Sequence, residues 1–164
     1  MPTKDQKQTR SLSFKTDMPL WLLALLALLS AIRPVIHDLR ALPFDSVMYL
    51  ALAVAPLIVY LGIAVFRDNK RPIYDFVVMG IMFGIMLAFT HQIFWDSAFG
   101  SNPPQLGDNL AGKLAPEAEE VLFRSAAFTS SLTTGTMIGL IFGTIALIAS
   151  NVKNRMQKSD KTDV

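Results

Sequence analysis

Residues 126–150 read AAFTSSLTTGTMIGLIFGTIALIAS, a run of 25 residues that contains no charged side chain. A transmembrane helix needs about 20 mostly apolar residues to cross the hydrocarbon core of a bilayer. Because lipid offers the backbone no hydrogen-bond partners, such a segment must satisfy its N–H and C=O groups internally, as a helix. We therefore predict that this segment spans a membrane.

Three earlier segments, residues 18–36, 46–66 and 73–95, have the same apolar character. The first follows a basic leader, as the core of a signal peptide does. A signal peptidase needs small residues before its cleavage site, and the matching positions hold Leu28 or Leu29. We expect this segment to stay in place as an anchor. The predicted fold is an all-α bundle of four transmembrane helices.

The overall composition agrees with a membrane protein and excludes several classes of function. Of the 164 residues, 52% are hydrophobic and 17% are charged, and the mean hydropathy is +0.41. Soluble domains carry about 25% charged residues, so a soluble enzyme and a disordered chain are both excluded. Cysteine is absent, which excludes disulfides, thiolate nucleophiles and iron–sulfur clusters. The sequence predicts no cofactor.

The positive charges are unevenly divided between the two sides of the predicted bundle. Eleven of the 15 Lys and Arg residues lie in residues 1–17, 67–72 and 151–164. Because Lys and Arg concentrate in cytoplasmic loops, we expect both termini to be cytoplasmic. The basic tails, residues 1–17 and 151–164, would then contact anionic lipid headgroups. The tails lack interleaved aromatic residues, so no nucleic-acid partner is predicted. The lack of Cys and of Asn-X-Ser/Thr sites favours a bacterial cytoplasmic membrane.

The predicted outer loop, residues 96–125, changes character at Pro116. Its first part, residues 96–115, contains three Gly and two Pro, which indicates irregular structure. Pro suits the first position of a helix, and the acidic residues Glu117, Glu119 and Glu120 complement the positive end of the helix dipole. We expect a short extracytoplasmic helix that leads into the fourth span.

The third and fourth spans carry a small residue at every fourth position. The two series are Gly80, Gly84 and Ala88, and Ala127, Ser131, Gly135, Gly139 and Gly143. This spacing places each series on one face of its helix. Small residues let helix backbones approach closely in a membrane. We expect the two faces to pack against each other, with a homo-oligomer seam or a pore lining as the alternative.

Ionisable residues within predicted spans are candidates for an ion or proton pathway. Asp75 lies near the cytoplasmic end of the third span, four residues after Arg71, where it forms either a local ion pair or a proton-coupling group. His91 lies about one turn inside the outer end of that span. His37, Asp38 and the outer glutamates lie on the same side and raise the hypothesis of a divalent metal site. No metal-binding spacing such as HExxH supports it.

Residues 119–124 read EEVLFR. This EExxFR pattern resembles the first motif of the CPBP family of intramembrane metalloproteases, which includes the CAAX prenyl endopeptidases. The resemblance covers six residues and implies catalytic roles for Glu119, Glu120 and Arg124, with histidine supplied by other helices. No histidine follows His91, so the later histidine motifs of that family have no counterpart in this chain.

The sequence leaves three hypotheses for function. It favours a non-enzymatic partner or accessory subunit. This subunit would act through its glycine-lined helices and outer loop, and its partner would be a second membrane protein or a second copy of this chain. The alternative is a small ion- or proton-coupled transporter or channel, with Asp75 or His91 on the pathway. The third is a metal-dependent membrane hydrolase that uses Glu119, Glu120 and His91.

Overall fold

A computed structural model describes residues 15–39, 41, 43, 46–100, 104–107 and 112–159. Over these residues the protein is entirely helical, without a β-strand. The helices are α1 (Leu20–Asp38), α2 (Val47–Phe66), α3 (Pro72–Ile93), α4 (Trp95–Phe99) and α5 (Pro116–Ser159). All except α4 are long and apolar enough to cross a membrane. The prediction of an all-α chain with four long apolar helices is therefore confirmed.

Local sequence explains where the helices begin. The Ser46 hydroxyl accepts a hydrogen bond from the Tyr49 amide at 3.2 Å and caps the start of α2. Pro72 is the first residue of α3, where its missing N–H has no helical partner to lose. Between these helices Asp68 has a φ of 52°, a left-handed conformation that Asp adopts more readily than most residues.

The last helix, α5, is much longer than the predicted fourth span. Its 44 residues extend about 66 Å at about 1.5 Å per residue, roughly twice the ~30 Å hydrocarbon core. It begins at Pro116, where a helix start was predicted, and continues without a break through the predicted tail as far as Ser159. Residues 151–159 contain neither Gly nor Pro, so nothing local ends the helix at Ser150.

The expectation of irregular structure from residue 96 onward was wrong for its first residues. Residues 95–99 form the short helix α4, which directly follows α3. The side chains of Trp95 and Phe99 lie one turn apart, and their ring centroids are 4.6 Å apart. Trp95 is buried, with 5% of its surface exposed. Burial of Trp95 and its contact with Phe99 stabilise a turn that Gly100 then ends.

Helix α3 lies at the centre of the bundle, between α1 and α5. The core contains one cluster of buried residues: Met18, Leu22, Leu23, Leu26, Ala27, Tyr60, Ala64, Phe76, Met79 and Ala146. Many large apolar side chains lie outside it, such as Trp21 at 67% and Val47 at 83% exposure. Exposed apolar surface of this extent is compatible with a lipid surrounding.

The small-residue faces of α3 and α5 lie directly against each other. A Cβ atom added to Gly135 would lie 2.6 Å from Gly84 Cα, and one added to Gly143 would lie 2.7 Å from Ile73 Cα. Ala127 is partly buried, and every other member of the two predicted series is buried: Gly80, Gly84, Ala88, Ser131, Gly135, Gly139 and Gly143. The two helices are antiparallel and approach as closely as their backbones allow.

The bundle has two ends, which differ in chemistry. The basic end contains the start of α1, the loop 67–71 and the end of α5, and there Lys153 Nζ lies 2.7 Å from Asp68 Oδ1. The His91 end contains the ends of α1 and α3, helix α4 and the start of α5. Helices α1 and α3 run in the same direction, so their last turns meet at the His91 end.

Candidate functional site

The strongest candidate site is a buried carboxylate between two imidazoles at the His91 end. Asp38 is the last residue of α1, and only 1% of its surface is exposed. Its Oδ1 lies 2.9 Å from His37 Nδ1, and its Oδ2 lies 2.7 Å from His91 Nδ1. We call these three residues the His–Asp–His cluster. It joins α1 to α3 through side chains that are 53 positions apart.

The hydrogen bonds of this cluster define the state of its histidines. An ionised carboxylate can only accept hydrogen bonds, so each imidazole donates from Nδ1. In His91 this leaves Nε2 as the ring nitrogen that does not contact Asp38. The His37 and His91 side chains are 45% and 32% exposed, so both have access to the surroundings, whereas Asp38 has almost none.

Both histidines lie in the last turn of their helices, His37 in α1 and His91 in α3. A positive charge at that position complements the negative end of the helix dipole. The buried carboxylate of Asp38 adds a full negative charge between them. The cluster therefore places a buried acidic group between two partly exposed imidazoles at the ends of two helices.

One turn before His37, Arg33 carries the only charge inside the apolar part of α1. Its Cζ lies 4.7 Å from the ring centroid of Tyr49, which is a cation–π distance. Its Nε is buried and has no hydrogen-bond partner among the described residues. Arg33 lines a cavity of about 300 Å³, which therefore lies beside the His–Asp–His cluster.

The EExxFR segment forms a separate network that attaches α5 to α3. Glu120 Oε1 lies 2.7 Å from Arg124 Nε. Arg124 Nη1 donates to the Gln92 carbonyl at 3.2 Å, and Gln92 Nε2 donates to the Arg124 carbonyl at 3.0 Å. The Arg124 Cζ also lies 4.9 Å from the ring centroid of Trp95. These contacts give Glu120 and Arg124 a role in packing.

Glu119 is engaged elsewhere, because it accepts a hydrogen bond from the Leu106 amide. The structure thus separates the predicted catalytic residues: His91 bonds to Asp38, Glu120 to Arg124, and Glu119 to the segment 104–107. Across the described ranges, no three His, Asp or Glu side chains are grouped so that they could hold a metal ion. The geometry does not support the metal-dependent hydrolase hypothesis.

Asp75, the other predicted pathway residue, lies at the basic end and is fully buried. Its Oδ1 accepts a hydrogen bond from the Asp17 amide at 3.0 Å, and its Oδ2 accepts from the Met18 amide at 2.7 Å and from Asn69 Nδ2 at 2.9 Å. The sequence suggested only Arg71 as a partner. Asp75 connects α3, the residues before α1 and the loop before α3.

Two residues of the site were not identified as such from the sequence. Asp38 was only one of several carboxylates on its side, and Arg33 was not singled out. A charge within an apolar segment is itself a signal of a functional site, and Arg33 lies three residues after Ser30 within α1. No signal of that kind singles out Asp38.

Comparison with known proteins assigns no family or function to the chain. No protein-family model, curated protein or solved structure matches it. Its function must therefore be inferred from the geometry of the described residues.

Proposed function

We propose that this chain is a small ion- or proton-coupled membrane transporter or channel, and that the His–Asp–His cluster is its proton-accepting group. We further propose that both termini are cytoplasmic, so that the cluster faces outward from a bacterial cytoplasmic membrane. The observation that carries the proposal is the buried carboxylate of Asp38, which accepts hydrogen bonds from histidines of two parallel helices.

The chemistry of the cluster suits proton coupling. Histidine is the side chain whose charge normally changes between pH 5 and 8. When His91 Nε2 takes up a proton, the imidazolium and the Asp38 carboxylate form an ion pair. Loss of the proton leaves a buried negative charge that only neutral donors compensate. Because Nδ1–H donates in both states, proton uptake at Nε2 changes the strength of the 2.7 Å contact between α1 and α3 and not its presence, which links proton binding to the contact between two helices.

Proton flux through reconstituted vesicles tests this proposal. With the protein in liposomes that contain a pH-sensitive dye, a valinomycin-driven potassium potential should drive proton entry faster than in protein-free liposomes. Asp38→Asn should reduce this flux about tenfold, which corresponds to a change of about 1.4 kcal/mol in the free energy that governs the flux. His91→Gln, which retains hydrogen-bonding capacity but does not titrate, should do the same.

Glu117→Gln is the matched control for these variants, because Glu117 is an exposed acidic residue in the first turn of α5. It should leave the flux unchanged. Circular dichroism and gel filtration establish that each variant is folded. Wild-type flux no greater than that of empty liposomes contradicts the proposal, and so does full flux in a folded Asp38→Asn variant.

A partner or accessory subunit is the second candidate, and the open surface of α2 favours it. Only Tyr49, Tyr60 and Ala64 are buried among the 20 residues of α2. The glycine-lined faces of α3 and α5 are occupied by each other, so a partner would instead contact α2. Native mass spectrometry of the protein from its own membrane should then reveal a stoichiometric second protein. A monomer contradicts this candidate, and a homo-oligomer restricts the partner to a second copy of the chain.

A further inference from the structure

The cavity beside Arg33 has the size of a binding site for a small molecule. Its volume is about 300 Å³, at the lower end of the range of about 300–1,000 Å³ that is typical of such sites. Its walls come from α1, α2, α3 and α5 and include Ser30, Arg33, Leu57, Tyr60, Met79 and Phe83. All four long helices therefore contribute to its walls, and it is partly open to the surroundings.

The charged wall of this cavity is a cation whose hydrogen-bonding capacity is incompletely used. Arginine has five N–H donors and no acceptor. The Nε–H of Arg33 is buried and donates to no described group. The carboxylate of Asp38, five residues later in α1, already accepts from both histidines. Stacking on the Tyr49 ring at 4.7 Å orients the guanidinium. An anion in the cavity would supply the acceptor that Arg33 lacks.

The remaining walls restrict the ligand to a molecule with one anionic group and an apolar body. Leu57, Met79 and Phe83 are apolar, and the Ser30 and Tyr60 hydroxyls hydrogen-bond to each other at 2.7 Å. A sugar or a polyanion would leave polar groups unpaired against these walls, which is unfavourable. A cation would be repelled by the positive charge of Arg33.

We propose that this cavity binds an amphipathic monoanion, an oxyanion attached to a short apolar chain, with the oxyanion at Arg33. Carboxylate and phosphate groups fit the planar guanidinium and accept paired hydrogen bonds from it. Free carboxylates and anionic membrane lipids both have this chemistry. The proposal names the class of molecule that the proposed transporter carries, and to that extent it rests on the proposed function.

Equilibrium binding of radiolabelled octanoate tests the site in nanodiscs that contain only zwitterionic phosphatidylcholine. Octanoate should bind saturably, and octanol should not compete, because it lacks the charge. Arg33→Gln should weaken binding about tenfold or more, equivalent to about 1.4 kcal/mol. The matched control is Arg67→Gln, which removes an exposed arginine at the basic end and should leave binding unchanged.

A second variant tests the cavity without altering its charge. Ala53 lies in the wall, and Ala53→Leu should reduce octanoate binding by filling the space while Arg33 stays in place. Nanodiscs with phosphatidylglycerol distinguish the source of the ligand: competition by this lipid identifies a membrane lipid as the occupant, and its absence identifies a free carboxylate. Both results support an oxyanion site.

Three results would overturn the proposal: no saturable octanoate binding in phosphatidylcholine nanodiscs, unchanged binding by a folded Arg33→Gln variant, or equal competition by octanol. Failure of the proposed function is a separate result. A protein that binds octanoate through Arg33 but conducts no protons retains the anion site and contradicts proton coupling. A protein whose proton flux depends on Asp38 but which does not bind octanoate retains proton coupling and contradicts the anion site.

Discussion

Replacing Gly135 with alanine is expected to destabilise the protein by about 3 kcal/mol, the upper part of the range for overpacked interiors. The added Cβ would lie 2.6 Å from both Cα and N of Gly84. These atoms belong to the backbone of a helix, so no side chain can rotate away to make room. Helix α3 would have to move away from α5, and the dispersion contacts between the two backbones would weaken along the whole interface.

Gly62→Ala is the matched control, because the same methyl group is added to a helix at a position with free space. Gly62 lies within α2, and no atom lies within 4 Å of the added Cβ. Alanine in a helix interior is more favourable than glycine by about 0.5–1 kcal/mol, so this variant should be as stable as the wild type or slightly more stable. Unfolding in detergent micelles, followed by circular dichroism, gives the comparison. Equal stabilities of the Gly135→Ala and Gly62→Ala variants contradict the close packing of α3 and α5.

The sequence predicted the helices well, because a helix in an apolar surrounding must be built from a long run of apolar residues, and such a run is visible in the sequence. The first predicted span, residues 18–36, corresponds to α1 (Leu20–Asp38), and the third, 73–95, to α3 (Pro72–Ile93). The error concerns a polar segment: residues 96–99 were predicted to be irregular, but Trp95–Phe99 form α4. The basic segment 151–159 continues α5, because charge does not end a helix and this segment has no Gly or Pro that would.

The candidate site was harder to predict, because its residues meet only through tertiary packing. His91 and Asp38 are 53 positions apart, and nothing in the pattern of α1 specifies which face lies against α3. Asp75 presents a different difficulty. Two of its donors are the backbone amides of Asp17 and Met18, and a backbone amide gives no sequence signal because nearly every residue has one.

These same amides make Asp75 the second position at which a single substitution should have a large effect. Asp75→Asn keeps the shape of the side chain but replaces one acceptor oxygen with an NH₂ group. In either orientation of the amide, this NH₂ faces at least one N–H donor, since Oδ1 and Oδ2 both accept hydrogen bonds. A buried donor left without an acceptor costs about 1–3 kcal/mol, and more where the lost partner is charged. We therefore expect a loss of about 3 kcal/mol.

Asp68→Asn is the control for this variant, because Asp68 lies in the same end of the bundle and is also bonded across it, to Lys153 at 2.7 Å. Its side chain is 68% exposed, and an exposed ion pair contributes about 0–1 kcal/mol. Unfolding in micelles should therefore separate the two variants clearly. The comparison also decides the role of Asp75, since a pathway carboxylate would lose proton flux on amidation without loss of stability. An Asp75→Asn variant as stable as Asp68→Asn would contradict the structural role and favour a role in transport.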